Sequence, residues 1–172
     1  IVDESISGKY LDINSTSGEK TYLKEPFPNL RVLNYGIAAA STNCSYGSNI
    51  LLRYGGTREN YIEYISAMPS IWQYAKKAGY KTVFIDAQRD SGKYQNGMTD
   101  EEREDIDEFI QYDDVPILYR DMNIADSLIE HINNSTKEFI YVNKIGAHFP
   151  VNDRFPDSFI VHSPILNRGN SI

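Results

Sequence analysis

The chain has 172 residues, of which 41% are hydrophobic and 24% charged, a balance typical of a soluble globular domain with a sizeable core. Its formal net charge of −7 argues against nucleic acid as a partner, and no apolar run reaches the roughly 18 residues of a transmembrane helix. The single cysteine, Cys44, excludes an internal disulfide framework and a cysteine-based metal cluster.

Two carboxylates follow the first predicted strand. Ile1-Val2 has strand character and runs into Asp3 and Glu4. Ligands of open α/β sheets bind beyond the carboxyl ends of the strands, so both acids are candidate metal ligands, although solvated loop acids are commoner. The polar, turn-rich residues 7–30 predict a surface loop.

The stretch 33–49, rich in small and hydroxyl residues, is the main candidate for a functional site. Leu30–Leu33 predicts a short strand before it, and an apolar helical run over 50–54 follows and stops at Gly55. The candidate N-caps of this helix are Ser41, Thr42 and Asn43. A hydroxyl at a helix start faces unpaired N–H groups and the positive end of the helix dipole, which stabilise an anion or a nucleophilic oxygen. A well-capped helix with small residues for close packing explains the same pattern.

Residues 60–144 alternate helical and strand patterns, the order typical of a parallel α/β sheet. The predicted elements are a short element over 60–68, a helix over 69–79, a strand over 81–85, a helix from Thr99 to about Gln111, a helix over 122–133 and a strand over 137–144. The acidic run 99–102 fits a solvated helix face, and His131 fits a surface position favoured by the helix dipole. Asp86 and His148 follow the two later strands at their carboxyl ends.

Three chemically able groups therefore follow predicted strands: the acids Asp3 and Glu4, the hydroxyls Ser41 and Thr42, and the imidazole of His148. If the strands run parallel, all three lie at one edge of the sheet, which favours a catalytic site over unrelated structural residues. The predicted fold is α/β, with a mostly parallel central sheet flanked by helices.

Several local motifs follow one another in a recognisable order. The opening Ile-Val-Asp-Glu-Ser is followed by Asn14, by Pro-Asn-Leu at 28–30 and by Ser-Thr-Asn-Cys-Ser at 41–45. Residues 145–150 read Ile-Gly-Ala-His-Phe-Pro, and Arg-Phe-Pro follows at 154–156. In this order and spacing the chain resembles the alkaline-phosphatase-like superfamily, and within it the bacterial phosphoethanolamine transferases of the lipid A-modifying type.

The resemblance implies an alkaline-phosphatase-like fold and metal-assisted transfer of phosphoethanolamine through a phosphothreonine intermediate. Thr42 falls on the threonine that is phosphorylated, His148 on a histidine of the phosphate or substrate site, and Glu4 on the metal-binding glutamate. The implied ligands of a divalent metal, zinc by resemblance, are Glu4, Thr42 and Asp3. The implied substrate-binding residues are Asn43, Cys44, Ser45 and Lys9.

The chain also departs from the family pattern. Asp3 replaces the Gly before the glutamate, and Ser7 and Lys9 stand where the transferases carry Arg and Asp. The turn at 41–45 lacks the flanking cysteines of the lipid A enzymes. Residues 44–48 also lack the Pro and Arg that sulfatases need to make formylglycine, which argues against that chemistry.

No adjacent Asp-His pair, the family's second metal cluster, occurs in the chain, and His162 has no acidic neighbour. We therefore expect residues 1–172 to be one partial, sulfatase-like catalytic domain whose sheet is incomplete at its C-terminus. By resemblance, the parent protein would be anchored in the inner membrane with this domain in the periplasm. Alone, the chain is expected to bind zinc weakly and to be inactive without the remainder of the catalytic domain.

The expected donor is a phosphoethanolamine lipid, and the expected acceptor is a glycan or lipid of the cell envelope. Three alternatives stay open at the level of sequence. The chain could belong to a phosphoglycerol transferase or phosphodiesterase, to another hydrolase of the sulfatase family, or to a catalytically silent binding domain.

Overall fold

The computed structural model of the protein describes residues 1–3, 5–25, 28, 31–89, 92–149, 151 and 154–161. The chain divides into two compact units, one made of Ile1–Glu4 with Ser41–Ile172 and the other of Ser5–Ala40. In the smaller unit, Gly8–Tyr10 form a short 3₁₀ helix, and Leu11 makes an isolated bridge with Glu19.

The predicted strand before the hydroxyl-rich stretch is wrong in its described part. Residues 31–40 adopt neither helix nor strand, and Leu30 lies outside the described residues. Val32 and Leu33 are 37% and 55% exposed, so these apolar side chains are not buried against a sheet face. Apolar character alone does not make a strand where no partner strand pairs with the segment.

A three-stranded parallel sheet forms the centre of the larger unit. Strand β1 (Lys81–Asp86) lies between β2 (Glu108–Gln111) and β3 (Glu138–Asn143) and pairs in parallel with both. The register places Ile85 of β1 opposite Ile110 of β2. Helices pack against this sheet, so the prediction of an α/β fold with a parallel sheet flanked by helices is confirmed.

The α-helices of the described residues are α1 (Ser45–Tyr54), α2 (Tyr61–Ala67), α3 (Ile71–Lys77), α4 (Asp100–Glu104) and α5 (Arg120–Ile132). Local sequence accounts for the bounds of α3. The Ser70 hydroxyl accepts from the Gln73 backbone N–H at 3.4 Å, and the Gln73 side chain accepts from the Ser70 N–H at 3.2 Å. This capping box satisfies two N–H groups at the helix start, and Gly79, at φ 78°, turns the chain into β1.

The core lies on both faces of the sheet. Val83 and Ile85 of β1 pack with Ile124 of α5 on one face. On the other face, the Trp72 ring of α3 stands edge-on to the Phe84 ring of β1, with 5.8 Å between the ring centroids. Burial on both faces explains why β1 reads as a continuous apolar run rather than an alternating one.

The helix predicted from Thr99 to about Gln111 is correct only in its first turn. The Thr99 hydroxyl accepts from the Glu102 N–H at 3.2 Å, and α4 then ends at Glu104. Residues 108–111 instead form the edge strand β2, because pairing with β1 lets Phe109 and Ile110 pack on the core. A tertiary contact overrides the local helical signal here.

Glu102 is not part of the solvated acidic face predicted for α4. Its side chain is fully buried, and its Oε1 accepts from Arg53 Nε of α1 at 2.6 Å and from the Trp72 indole N–H of α3 at 2.9 Å. Arg53 also donates to the Asn96 carbonyl at 2.8 Å. This buried ion pair joins three helices on one face of the sheet.

His131 is likewise not a solvated surface residue. Its side chain is 11% exposed, and its Nδ1 lies 2.8 Å from a carboxylate oxygen of Glu138, the first residue of β3. Lys81 Nζ, at the start of β1, lies 2.6 Å from Glu108 and 3.4 Å from Glu138. The amino ends of the strands therefore hold a network of ion pairs rather than one histidine at a helix end.

Replacing Glu102 by Gln should lower the free energy of unfolding by about 3 kcal/mol, because the buried Arg53 charge would lose its counter-charge. Equilibrium urea unfolding measures the change. Glu104→Gln is the matched control, since Glu104 is an exposed acid of the same helix and its removal should leave unfolding nearly unchanged. Equal effects of the two substitutions would contradict a stabilising role for the buried pair.

Candidate active site

The turn before α1 brings the hydroxyl of the candidate nucleophile, Thr42, together with one side-chain hydroxyl and one carbonyl. The Thr42 hydroxyl donates to the Cys44 carbonyl at 2.8 Å and lies 3.0 Å from the Ser48 hydroxyl oxygen. Thr42 is half-buried, whereas Asn43 and Cys44 are exposed. The Thr42 hydroxyl thus lies in the turn before α1, in contact with the hydroxyl of Ser48 near the start of that helix.

Cys44, not Ser41, Thr42 or Asn43, occupies the N-cap position of α1. Its backbone is extended (φ −139°, ψ 153°), and its side chain makes no capping hydrogen bond. The N-cap prediction is therefore wrong by one to three residues, because the Thr42 hydroxyl bonds to the Cys44 carbonyl instead of to the first turn of the helix.

The start of α1 has the electrostatic character expected of an anion-binding turn. The backbone N–H groups at the start of α1, Gly47 first, lower the pKa of the Cys44 thiol. The same partial positive charges would face a phosphate oxygen placed beside Asn43, Cys44 and Ser45. The predicted substrate-binding roles of these three residues stay predictions.

Asp3 lies just beyond the carboxyl end of β3. Val2 forms a single parallel bridge with Asn143: the Val2 N–H donates to Val142 O at 2.7 Å, and the Lys144 N–H donates to Val2 O at 3.1 Å. The predicted first strand is thus reduced to one bridging residue. The Asp3 carboxylate accepts from Lys144 Nζ at 2.7 Å, so this predicted metal ligand already forms an ion pair with a cationic side chain.

Asp86 ends β1 at the same edge as Asp3, as predicted, but its side chain is fully buried. Its donors are the Gln88 backbone N–H at 3.0 Å, Gln95 Nε2 at 3.1 Å, Asn143 Nδ2 at 2.9 Å and Gln111 Nε2 at 3.2 Å. Burial raises the pKa of Asp86, and these hydrogen bonds oppose that rise. The carboxylate ties all three strands to the loop after β1 and is not accessible to a ligand.

His148 lies in an exposed loop after β3, as predicted. Its Nδ1 is 2.7 Å from the Phe149 carbonyl oxygen, and a carbonyl can only accept. The neutral ring therefore carries its proton on Nδ1, which makes Nε2 the acceptor nitrogen.

Sequence reasoning missed the residue that fixes the beginning of this loop. Asp121, in the first turn of α5, accepts from the backbone N–H groups of Ile145 at 2.8 Å and Gly146 at 3.0 Å. Gly146 has φ 52°, which lets both N–H groups meet one carboxylate. An acid in the first turn of a helix was a visible signal, but the residues it bonds lie 24 and 25 positions away.

Thr42, Asn43, Cys44 and Ser45 lie together in the turn before and at the start of α1, whereas Asp3 and His148 follow the edge where β3 ends. Among the described residues, no hydrogen bond joins Thr42 to Asp3 or to His148. Glu4, a predicted metal ligand, lies outside the described residues. Lys9 belongs to the smaller unit, where its ammonium lies 4.8 Å from the Tyr10 ring centroid. One shared cleft for Glu4, Thr42 and His148 stays a prediction.

The described residues alone do not fit a metal ion. Nowhere among them do three or more His, Cys, Asp or Glu side chains come together in a way that could hold one. Of the predicted ligands, Asp3 is paired with Lys144, and the Thr42 hydroxyl donates to a carbonyl.

Among the residues that the structure describes, no helix is long and apolar enough to cross a membrane.

The fold is similar to a solved structure, the C-terminal periplasmic domain of EcEptC from Escherichia coli in complex with Zn. The match has a TM-score of 0.55 and 21% sequence identity, and it covers 74% of this chain and 38% of that chain. At this identity the match shows a shared fold, and this chain spans little more than a third of the matched domain. No protein-family model and no curated protein sequence matches the chain.

The lowered pKa of Cys44 predicts that its alkylation begins at a lower pH in the folded chain than in the unfolded chain. The cause is that the N–H groups at the start of α1, Gly47 first, stabilise the thiolate. The measurement is the rate of iodoacetamide reaction against pH, with the same chain in urea as the control. Identical midpoints in both states would contradict the electrostatic account of this turn.

Proposed function

We propose that this chain is part of a metal-dependent phosphoethanolamine transferase that acts through a phosphothreonine at Thr42. The observation that carries the proposal is the Thr42 turn at the start of α1, within a fold that resembles the periplasmic domain of EcEptC, a phosphoethanolamine transferase. The sequence motifs around Thr42 and His148 support the same class of enzyme.

The proposed reaction has two balanced steps. Thr42 Oγ1 attacks the phosphorus of a phosphoethanolamine lipid, the bond from phosphorus to the lipid oxygen breaks, and that oxygen gains a proton while Thr42 loses one. An acceptor hydroxyl then attacks the phosphothreonine, loses its proton, and returns a protonated Thr42. The proposed acceptor is a glycan or lipid of the cell envelope.

In this proposal the N–H groups of the Thr42 turn and the side chains of His148 and Lys9 handle charge and protons. The backbone N–H groups around Asn43, Cys44 and Ser45 bind the phosphate oxygens. His148 Nε2, the acceptor nitrogen of the neutral ring, takes a proton and gives it back at the phospho group. Lys9 is the further cation proposed to bind substrate.

The proposed metal is zinc, because the structure of the EcEptC domain is a complex with Zn. When bound, a zinc ion polarises phosphoryl oxygens and lowers the pKa of a coordinated hydroxyl. The proposed ligands of this chain are Glu4, Thr42 and Asp3, and the remainder of the catalytic domain completes the set. To bind the metal, the Asp3 carboxylate would have to break its ion pair with Lys144.

The proposed location follows from the same likeness. The matched EcEptC domain is periplasmic, which supports a periplasmic location for this chain. The inner-membrane anchor of its parent protein is proposed from the sequence resemblance alone.

Replacing Thr42 by Ala in the full-length protein should lower the rate of phosphoethanolamine transfer at least about a thousandfold, because the nucleophile is lost. The fold should survive, since the hydrogen bond to the Cys44 carbonyl contributes only about 1 kcal/mol. The assay follows a labelled phosphatidylethanolamine donor to envelope glycolipids. Thr136→Ala is the matched control, because Thr136 is exposed and bonds only locally to Asn134.

A Thr42→Ala protein that transfers at the normal rate would move the nucleophile to Ser41, Cys44 or Ser45. A correctly folded wild-type protein that transfers no phospho group in the presence of zinc would favour the silent binding domain.

A further inference from the structure

Ser48 makes a hydrogen bond that its place in α1 does not ordinarily allow. A helical serine usually bonds to a carbonyl three or four residues before it. The Ser48 hydroxyl instead reaches back six residues, to Thr42 Oγ1 at 3.0 Å and to the Thr42 carbonyl at 3.3 Å. Two polar atoms of the same threonine thus lie within reach of one side chain.

The direction of the Thr42–Ser48 bond follows from the number of protons. Thr42 has one hydroxyl proton, which goes to the Cys44 carbonyl, a group that can only accept. Ser48 also has one hydroxyl proton, and its contact with Thr42 Oγ1 at 3.0 Å is shorter than its contact with the Thr42 carbonyl at 3.3 Å, so we assign Ser48 as the donor and Thr42 Oγ1 as the acceptor. The Thr42 hydroxyl therefore donates one hydrogen bond, to the Cys44 carbonyl, and accepts another, from Ser48.

Gly47 keeps open the space that the Thr42 side chain occupies. A Cβ atom at Gly47 would lie 2.8 Å from Thr42 Cγ2 and 3.0 Å from Thr42 Oγ1, closer than van der Waals contact permits. The threonine methyl group therefore packs against the bare backbone of α1. The helix backbone lies on one side of the Thr42 side chain and the Ser48 hydroxyl contacts it on another, which restricts its rotation about χ1.

We infer that Ser48 is a positioning residue that fixes the rotamer of Thr42 and donates a hydrogen bond to its hydroxyl oxygen. The inference rests on the proposed function only for its catalytic part. Ser48 neither gains nor loses a proton, because it remains a donor while charge develops on the Thr42 oxygen. Hydrogen bonds to ionised oxygens are stronger than those between neutral groups, so the Ser48 bond becomes more favourable as Thr42 reacts.

The positioning role is testable in the chain without any assay of activity. Three-bond couplings from Thr42 Cγ2 to its backbone N and carbonyl carbon report the χ1 rotamer, and they should show one rotamer in the wild type. Ser48→Ala should give couplings averaged over several rotamers, whereas Ser48→Thr, which keeps the hydroxyl, should restore one. Alanine is a better helix former than serine, so Ser48→Ala should fold.

The control for these measurements is Ser66→Ala. Ser66 is an exposed helical serine whose hydroxyl bonds only to Ile62 O, four residues back, at 3.4 Å. Its removal should leave the Thr42 couplings unchanged. Wild-type couplings in Ser48→Ala would overturn the positioning role, because Gly47 packing alone would then hold the rotamer.

The catalytic part is tested by kcat and KM in the full-length protein. Ser48→Ala should lower kcat between about tenfold and a hundredfold, the value of one hydrogen bond to a charged oxygen, with KM for the phospholipid donor unchanged. Ser48→Thr should recover most of kcat. Averaged Thr42 couplings with an unchanged kcat would overturn the catalytic part while leaving the proposed function intact. An active Thr42→Ala protein would instead overturn the proposed function, and the coupling measurement would still decide whether Ser48 holds Thr42.

Discussion

The parallel pairing of β1 with a strand on each side is the constraint on which the larger unit depends. All side chains from Thr82 to Asp86 are buried, so β1 is covered on both faces and at both edges. Trp72 closes one face and Ile124 the other. With the strands parallel, the chain leaves each of them at the same edge, and it is there that Asp86 and the loop with His148 begin. This topology accounts for the positions of Asp86 and His148, whereas the Thr42 turn is positioned by α1.

Buried and half-buried carboxylates then fix the loops and helices around that sheet. Asp86 joins all three strands to the loop after β1. Asp121 fixes the chain just after β3, and the Arg53–Glu102 pair anchors α1, the helix that begins at the Thr42 turn. Each of these carboxylates accepts at least two hydrogen bonds, which is the condition under which a buried charge is tolerated. The Thr42 hydroxyl thus belongs to a turn that leads directly into a helix anchored by the buried Arg53–Glu102 pair.

The elements that could be predicted from the sequence are those whose signals are local. The capping box of Ser70, the glycine at 79 and the apolar run of β1 lie within a few residues of the elements they define. The elements that could not be predicted depend on distant partners. Strand β2 forms because Phe109 pairs beside Phe84, and Glu102 is buried because it pairs with Arg53, which lies 49 positions before it in the sequence. At the candidate site, the Thr42 turn and the loop of His148 were predictable from residue type, whereas the Cys44 cap and the Ser48 hydrogen bond follow from the turn geometry alone.

The central claim is that Thr42 becomes covalently phosphorylated, and peptide mass spectrometry tests it most directly. The full-length protein is incubated with phosphatidylethanolamine, quenched in acid and digested with trypsin, which should release residues 32–53 as one peptide because no Lys or Arg lies between Arg31 and Arg53. The account predicts that this peptide carries one phosphoethanolamine group and that fragmentation places it on Thr42. An unmodified peptide during steady product formation, or a modification on another residue, would contradict it.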